Sequence, residues 1–383
     1  MSLESSVLVV AGEPSGDFAA AGVAREIIAD HGVRVFGVGG DHMAREGVEL
    51  VTNISTAAGM GIGATVGALG FWLKTWAKIR AVVDERCPKA ALLVDSPELN
   101  LPLARVLKAA KIPVVYYIGP QVWAWRAHRL KLLKARTDNV ALILPFELPL
   151  YQAAGIKAEF VSHPLLDVTA RYSRAEVRRS LHVSDNMPLV AMLPGSRRAE
   201  VETMALPMIE AGLSVLRSGG RAVLAPAPKV ASAAVINKAR FDGCTILPHK
   251  FTARDLLRAC DAALVTSGTA TLEAAIEGAP MAIVYKTDPV SFFAAKKLVK
   301  VPFAGLPNLL AKREIVPELF QDKVSGKNLF NAVKKLLSAS EQARQKKELA
   351  LVANQLGSPN AAIRVAQMLA PWISSSVAVN ILP

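Results

Sequence analysis

Three turns in this 383-residue chain carry side chains whose types and spacing suit group-transfer chemistry. Ser267-Gly-Thr-Ala-Thr-Leu-Glu273 follows the apolar run Ala262-Ala-Leu-Val-Thr266, and the pattern reads as strand, turn, helix. Gly268 lets backbone approach a ligand, the hydroxyls of Ser267, Thr269 and Thr271 can cap or donate, and the free N–H groups of a first helical turn attract an anion. A diphosphate is the natural occupant; an ordinary capped helix start is the other reading. The second turn, Gly12-Glu-Pro-Ser-Gly-Asp17, closes the run Ser6–Ala11 and would project Glu13, Ser15 and Asp17 into a crevice, although Ser15 or Asp17 could equally cap the next helix. The third, Asp95-Ser-Pro-Glu-Leu-Asn100, ends Ala90–Asp95; with Ser96 and Asn100 available as caps, Asp95 is left free for chemistry. Arg197, in Pro194-Gly-Ser-Arg197-Arg198, adds a fixed cation that can grip phosphate oxygens bidentately.

These turns need a scaffold that delivers them to one edge, and the rest of the chain supplies it. Apolar runs at 6–11, 33–37, 90–95, 113–118, 139–144 and 159–161 alternate with helical patterns at 18–29 and 126–136. After a charge-rich, apolar-poor stretch the alternation resumes at 189–193, 221–225, 244–247, 262–266 and 281–285. The reading is α/β: two Rossmann-like domains facing a central cleft. Their boundaries fall at 1–165 for an N-terminal Rossmann-like domain, 166–187 for a linker, 188–350 for a C-terminal Rossmann-like domain, and 351–383 for a helical tail. Leu306-Pro-Asn-Leu309, Glu314 and Pro317–Gln321 read as a late polar loop at the same crevice.

Leu50 to Leu73 runs twenty-four residues without a charge, but five glycines between Gly59 and Gly70 keep its hydrophobicity mediocre for a membrane span. Phe71, Trp72 and Trp76 interleave with Lys74, Lys78 and Arg80, a pattern that suits a helix lying on a headgroup boundary; a helix packed on the sheet is the alternative. Gly59–Ala64 fits Gly-x-Gly-x-x-Ala, yet the acid some twenty positions on, Asp84, lies in a helical pattern and not at a strand end. The net charge of +13 points to an anionic partner. No nucleic-acid motif accompanies it, so a phosphorylated substrate or an anionic membrane surface ranks ahead of nucleic acid. Cys87, Cys244 and Cys260 are far apart, and the amino terminus lacks the basic flank of a signal peptide, so the expectation is a cytoplasmic protein. No Asp-x-Asp, Walker A or metal-spaced His/Asp/Glu set occurs, so no metal or other cofactor is expected.

Seven motifs, Ala11–Asp17, Pro120-Gln-Val-Trp-Ala-Trp125, Leu144-Pro-Phe-Glu147, His163-Pro-Leu165, Leu193–Arg197, Ser267–Glu273 and Leu306-Pro-Asn308, run in the order found in lipid A disaccharide synthases, which the chain resembles over nearly its whole length. The resemblance implies a GT-B glycosyltransferase, peripheral on the cytoplasmic face of the inner membrane of an outer-membrane-bearing bacterium. It implies joining of UDP-2,3-diacylglucosamine to 2,3-diacylglucosamine 1-phosphate (lipid X) with inversion, giving a β-1′,6 link and UDP. Carried over, it marks Asp95 and Glu13 as catalytic. It places Arg197, Ser267, Gly268, Thr269, Ala270, Thr271, Glu273 and Asn308 at the nucleotide, Ser15, Asp17, Asn100 and Gln121 on the acceptor side, and Phe71, Trp72, Lys74, Trp76 and Lys78 at the membrane. Family members can dimerise through the C-terminal region. The sequence departs from the family at Glu98 and Leu99 (for Asp and Phe), Gly119 (for Ser), Ser162 (for Gly) and Ala64 (for Glu). The last puts an acid/base role for that region in doubt and suits a helix made more apolar for lipid. Another GT-B enzyme using UDP-GlcNAc, a nucleotide-sugar epimerase, or a non-catalytic lipid- or nucleotide-binding protein are the rival readings.

Overall fold

The computed structural model describes residues 5–54, 66–124, 126–227, 230–288 and 302–374, with the side chains of 66–69 and 71 excepted. The Gly59–Ala64 pattern, the side chain of Phe71 and the second tryptophan of the Pro120–Trp125 motif lie outside the described residues. The chain forms two compact units, Met1–Asp167 with Leu356–Pro383, and Val168–Gln355.

The first unit holds a seven-stranded sheet: β1 (Ser6–Ala11), β2 (Arg34–Gly39), β3 (Glu49–Asn53), β4 (Ala90–Val94), β5 (Val114–Tyr117), β6 (Asn139–Leu142) and β7 (Ala158–Phe160), in the order β3-β2-β1-β4-β5-β6-β7. Every pairing is parallel. Both faces are buried, as the apolar runs require: Val7, Val9 and Ala11 of β1 enter one core cluster and Leu8 and Val10 the other. Helix Pro14–His31 covers the first face together with the chain's last described helix, Ala361–Ile373, which contributes Ala362, Val365, Ala366 and Leu369 to the same core. Asp167 fastens that return by accepting the N–H groups of Asn360 (2.5 Å), Ala361 (3.2 Å) and Ala362 (3.1 Å).

The second unit repeats the plan with β8 (Leu189–Leu193), β9 (Arg221–Leu224), β10 (Thr245–Ile246), β11 (Ala262–Thr266), β12 (Met281–Tyr285) and β13 (Glu318–Phe320), ordered β10-β9-β8-β11-β12-β13 and again parallel throughout.

The structure refines two readings of the sequence, the Leu50–Leu73 stretch and the Pro317–Gln321 loop. The uncharged stretch from Leu50 is not one element: its start belongs to β3, and its end opens the helix Val66–Arg86. That helix packs on the sheet, with Thr75, Ile79 and Val83 buried and Trp72 and Trp76 half-buried against the core, while Leu73, Lys74 and Lys78 are exposed. Among the described residues no helix is long and apolar enough to cross a membrane. Finally, Pro317–Gln321 is not a loop. Its centre is β13, registered Ile283↔Glu318 on β12, and Leu306–Ala311 is a short helix.

Candidate functional site

In both sheets the strand order reverses direction beside the first strand, between β1 and β4 and between β8 and β11. Open α/β sheets leave a crevice at such a switch point, outside the carboxyl ends of the strands. Register makes the loops level. Ala11 pairs with Val94, so Gly12 and Asp95 leave the sheet side by side; Leu193 pairs with Val265, so Pro194 leaves the sheet level with Thr266, the last residue of β11.

At the first edge, Asp95 and Ser96 hold consecutive left-handed conformations, φ 50° and 42°. Non-glycine residues in that region cost on the order of 1–3 kcal/mol each, so the surroundings must enforce it. They do: the Asp95 carbonyl accepts both the Tyr116 hydroxyl (2.6 Å) and Asn100 Nδ2 (2.8 Å), and its N–H donates to Tyr117 O (2.9 Å). Gly12 is a glycine by necessity, because a Cβ there would meet Ser96 Oγ at 2.7 Å. The contact sets the Glu13 loop against the Asp95 loop. Burial, then the neighbouring Glu13 charge, with Glu98 adding less, raise the Asp95 carboxyl to about 6, while the Ser96 N–H opposes them. A carboxylate poised there is ionised near neutrality and can still take a proton.

The neighbouring polar residues divide into exposed groups and braces. Glu13, Ser15 and Gln121 are exposed at this edge. Asp17 does not project: its buried carboxylate accepts the N–H groups of Gly40 (2.6 Å), His42 (3.0 Å) and Met43 (3.2 Å), capping the helix Asp41–Arg45 and not its own. Neither Ser96 nor Asn100 caps by side chain. Ser96 makes no such bond, and fully buried Asn100 ties together the carbonyls of Val10, Val94 and Asp95.

Two of the sequence motifs prove to be joints. Glu147 is buried, accepting Trp123 Nε1 (2.9 Å) and the Leu144 N–H (3.3 Å), and its burial raises it to about 8. It thereby pins the loop after β5 to the loop after β6. His163, held down to about 4 by burial, donates its backbone N–H to Leu356 O (2.9 Å), and Ser162 Oγ accepts Ser358 N–H (3.3 Å), where the chain returns to the first unit.

At the second edge, Gly268 has φ 144° and a Cβ there would meet nothing within 4 Å, so the turn is backed by open space. Thr269 is exposed and Ala270 partly so, at the start of the helix Ala270–Ile276. Two hydroxyls are already spent: Ser267 Oγ donates to Ala304 O (3.1 Å) and Thr271 Oγ1 to Gly268 O (2.7 Å). Glu273 lies one turn in, raised by burial and by Glu277 against the pull of Arg254. Arg197 extends into solvent from the N-cap of the helix Arg198–Arg217, its guanidinium only 3.3 Å from Glu200 Oε1 and 73 % exposed. Glu200 Oε2 also takes the N–H groups of Ser196 and Arg197, holding the turn that presents the arginine.

Asn308 is the clearest revision. It is fully buried, with Nδ2 donating to Val316 O (2.9 Å) and Glu318 Oε1 (2.8 Å) and Oδ1 accepting from Ile315 (2.8 Å) and Val316 (3.0 Å). Both donors and both lone pairs of the amide are committed, so it braces and does not grasp a ligand. Its partner Glu318, which the sequence reading passed over as a loop residue, accepts the N–H groups of Ala304 (3.1 Å) and Gly305 (3.0 Å). Ala304 in turn receives the Ser267 hydroxyl, so Asn308 and Glu318 position the glycine turn from behind. Only a glycine preceding Leu306-Pro-Asn308 hinted at this crowding: a Cβ on Gly305 would meet Ile283 Cδ1 at 2.2 Å.

Known proteins resemble the chain in both sequence and fold. The sequence profile of the family described as Lipid-A-disaccharide synthetase (LpxB) matches residues 7–370. A Lipid-A-disaccharide synthase of Geobacter metallireducens is 33% identical over 366 residues, covering 94% of this chain and 95% of the relative. That of Syntrophus aciditrophicus is 36% identical over 377 residues, 97% and 98% respectively. Among solved structures, MurG of Acinetobacter baumannii superposes with TM-score 0.60 at 14% identity, covering 96% of this chain and 99% of that one. UDP-GlcNAc 2-epimerase of Neisseria meningitidis, bound to UDP-GlcNAc, gives 0.60 at 12% identity with 96% and 100% covered; both likenesses speak to the fold alone. With two parallel α/β units in the GT-B plan and a family match over nearly its full length, the chain belongs to the lipid-A-disaccharide synthase family of glycosyltransferases.

Proposed function

We propose that the chain transfers a 2,3-diacylglucosaminyl group from its UDP donor to the 6-hydroxyl of 2,3-diacylglucosamine 1-phosphate, with inversion, to give the β-1′,6-linked disaccharide 1-phosphate and UDP. The observation that carries this reading is the pair of carboxylates, Asp95 and Glu13, at the switch point of the first sheet in a chain of this family. In the proposed step the acceptor oxygen forms a bond to the anomeric carbon as the bond from that carbon to the β-phosphate oxygen breaks. The hydroxyl proton passes to Asp95 and the bonding pair leaves on UDP. Glu13 orients the acceptor and tunes Asp95. Arg197 and the N–H groups of the turn at Gly268–Ala270 absorb the charge of the departing diphosphate, and Glu273 holds the ribose. Ser15 and Gln121 line the acceptor side, and Asn308 serves from the second layer through Glu318.

Acylated substrates reside in a bilayer, and the proposal includes docking of the first unit on the anionic inner face of the membrane. The exposed Lys74, Lys78 and Leu73 beside half-buried Trp72 and Trp76 support it. A mass-resolved assay with diacylated donor and acceptor tests the whole reading. Wild type should form disaccharide and UDP, and Asp95→Asn should fold normally while losing roughly two or more orders of magnitude in turnover. Product from a UDP-GlcNAc donor but not from the diacylated one would overturn the substrate assignment. Near-normal turnover in Asp95→Asn would remove Asp95 as the base.

A further inference from the structure

Four arginines of the first unit answer to a carboxylate: Arg86 to Glu49, Arg126 and Arg129 to Glu98, Arg25 to Glu26. Arg80 and Arg105 do not. Neither has an ion pair or hydrogen bond to a described residue, and both are exposed. They line one groove of about 570 Å³ with Trp76, Pro102, Val106 and Arg136. Arg136 spends one N–H on Leu101 O (3.0 Å), and no acidic residue lines the groove. Three arginines thus line one groove together with apolar residues, and no carboxylate is among its described lining. Like charges sharing one groove repel, and an anion seated among them relieves that repulsion.

The structure assigns this groove to the phosphate of an anionic phospholipid headgroup, on the membrane-docking reading proposed above. Two features favour a bilayer over a soluble phosphate. Trp76 presents a half-buried indole at the groove wall, as suits an apolar–water boundary. Leu73, one helical turn from Trp76 and on the same stripe as Arg80, is 62 % exposed and would enter the acyl region as the arginines meet phosphate. Lys74 and Lys78 on the adjoining stripe supply general attraction; the arginine fork supplies a seat with defined geometry.

Co-sedimentation of the full chain with vesicles of phosphatidylcholine, and of phosphatidylcholine and phosphatidylglycerol in equal parts, separates the possibilities. Wild type should partition onto the anionic vesicles. Arg80→Ala with Arg105→Ala should lose roughly 30-fold in partitioning, each charge being worth about fivefold at an anionic surface. Arg80→Lys with Arg105→Lys keeps the charge but not the fork, and should still bind several-fold more weakly than wild type. Lys131→Ala with Lys134→Ala removes equal charge from the neighbouring helix and should cost less than the double arginine-to-alanine change. Glycosyl transfer between detergent-dispersed substrates should be unchanged in all of these, which also reports on folding. If wild type partitions but the groove variants partition equally well, or lose no more than the lysine control, the groove assignment fails and membrane docking stands. If wild type does not partition at all, docking itself fails and takes the groove with it. Displacement from vesicles by millimolar glycerol phosphate would reassign the groove to a soluble phosphate and overturn the assignment.

Discussion

Removing the charge of Glu13 should change where on the pH axis Asp95 works. Asp95 is raised from 3.8 to about 6, burial first and Glu13 second, so a proton-accepting role predicts a rate that climbs with pH and levels off above that value. For a single ionisation at about 6, roughly nine-tenths of Asp95 is ionised at pH 7 and about one-tenth at pH 5, so the wild-type rate should fall close to tenfold between those points. An unperturbed carboxyl at 3.8 would lose less than about a tenth of its activity over the same interval. Glu13→Gln keeps a side chain of the same size on an exposed loop position and deletes only the like charge, so the acid limb should move to lower pH while burial keeps it above that of a free aspartate. At pH 5 the variant should retain a larger fraction of its own plateau rate than wild type does. The assay is kcat/KM for UDP release from pH 4.5 to 8 under subsaturating acceptor, with protein stability checked at each pH. A limb that stays in place, or moves upward, would show that Glu13 does not act on the proton acceptor, and an acid limb absent from wild type would remove Asp95 from the role.

Gly268→Ala should keep the fold, because the added methyl faces open space, but φ 144° there costs a non-glycine residue on the order of 1–3 kcal/mol; calorimetric titration should show weakened UDP binding with only a modest fall in Tm. Asn308→Ala strands the N–H groups of Ile315 and Val316 and should destabilise by about 2–4 kcal/mol, readable in denaturant unfolding, whereas an exposed nucleotide ligand would lose affinity with little stability. Glu318→Gln should raise the KM for donor and leave that for acceptor unchanged, and its effect should not add to that of Ser267→Ala if both act through Ala304. Glu147 binds its proton more tightly folded than unfolded, so its contribution is present at low pH and is lost as pH rises from 4.5 through about 8; Glu147→Gln should remove about 1–2 kcal/mol of the stability decline between pH 6.5 and 8.

Much of the architecture was legible in the linear order. Apolar runs of strand length, buried on both faces and separated by helical patterns, force parallel pairing, since only a helical crossover returns the chain to start the next strand in the same direction. The turns carrying Glu13, Asp95, Arg197 and Gly268 were visible because each follows such a run directly. β3 and β13 were not: Glu49–Asn53 merges into an uncharged stretch, and Glu318–Phe320 is three residues whose only support is the neighbouring strand.

What the sequence determined by itself is the set of groups brought to the carboxyl ends of the strands, because strand direction and loop position are local properties. Which of those groups remain free was decided by tertiary structure. Asp17, Asn100 and Asn308 have the same chemistry as side chains that bind ligands, yet each is consumed by backbone partners that lie far away in sequence or across a turn. A buried polar group must be satisfied, and its partner is fixed only when the strands have taken their order. The same packing raised Asp95 and left Arg80 and Arg105 without partners among the described residues, outcomes of position that no residue type announces.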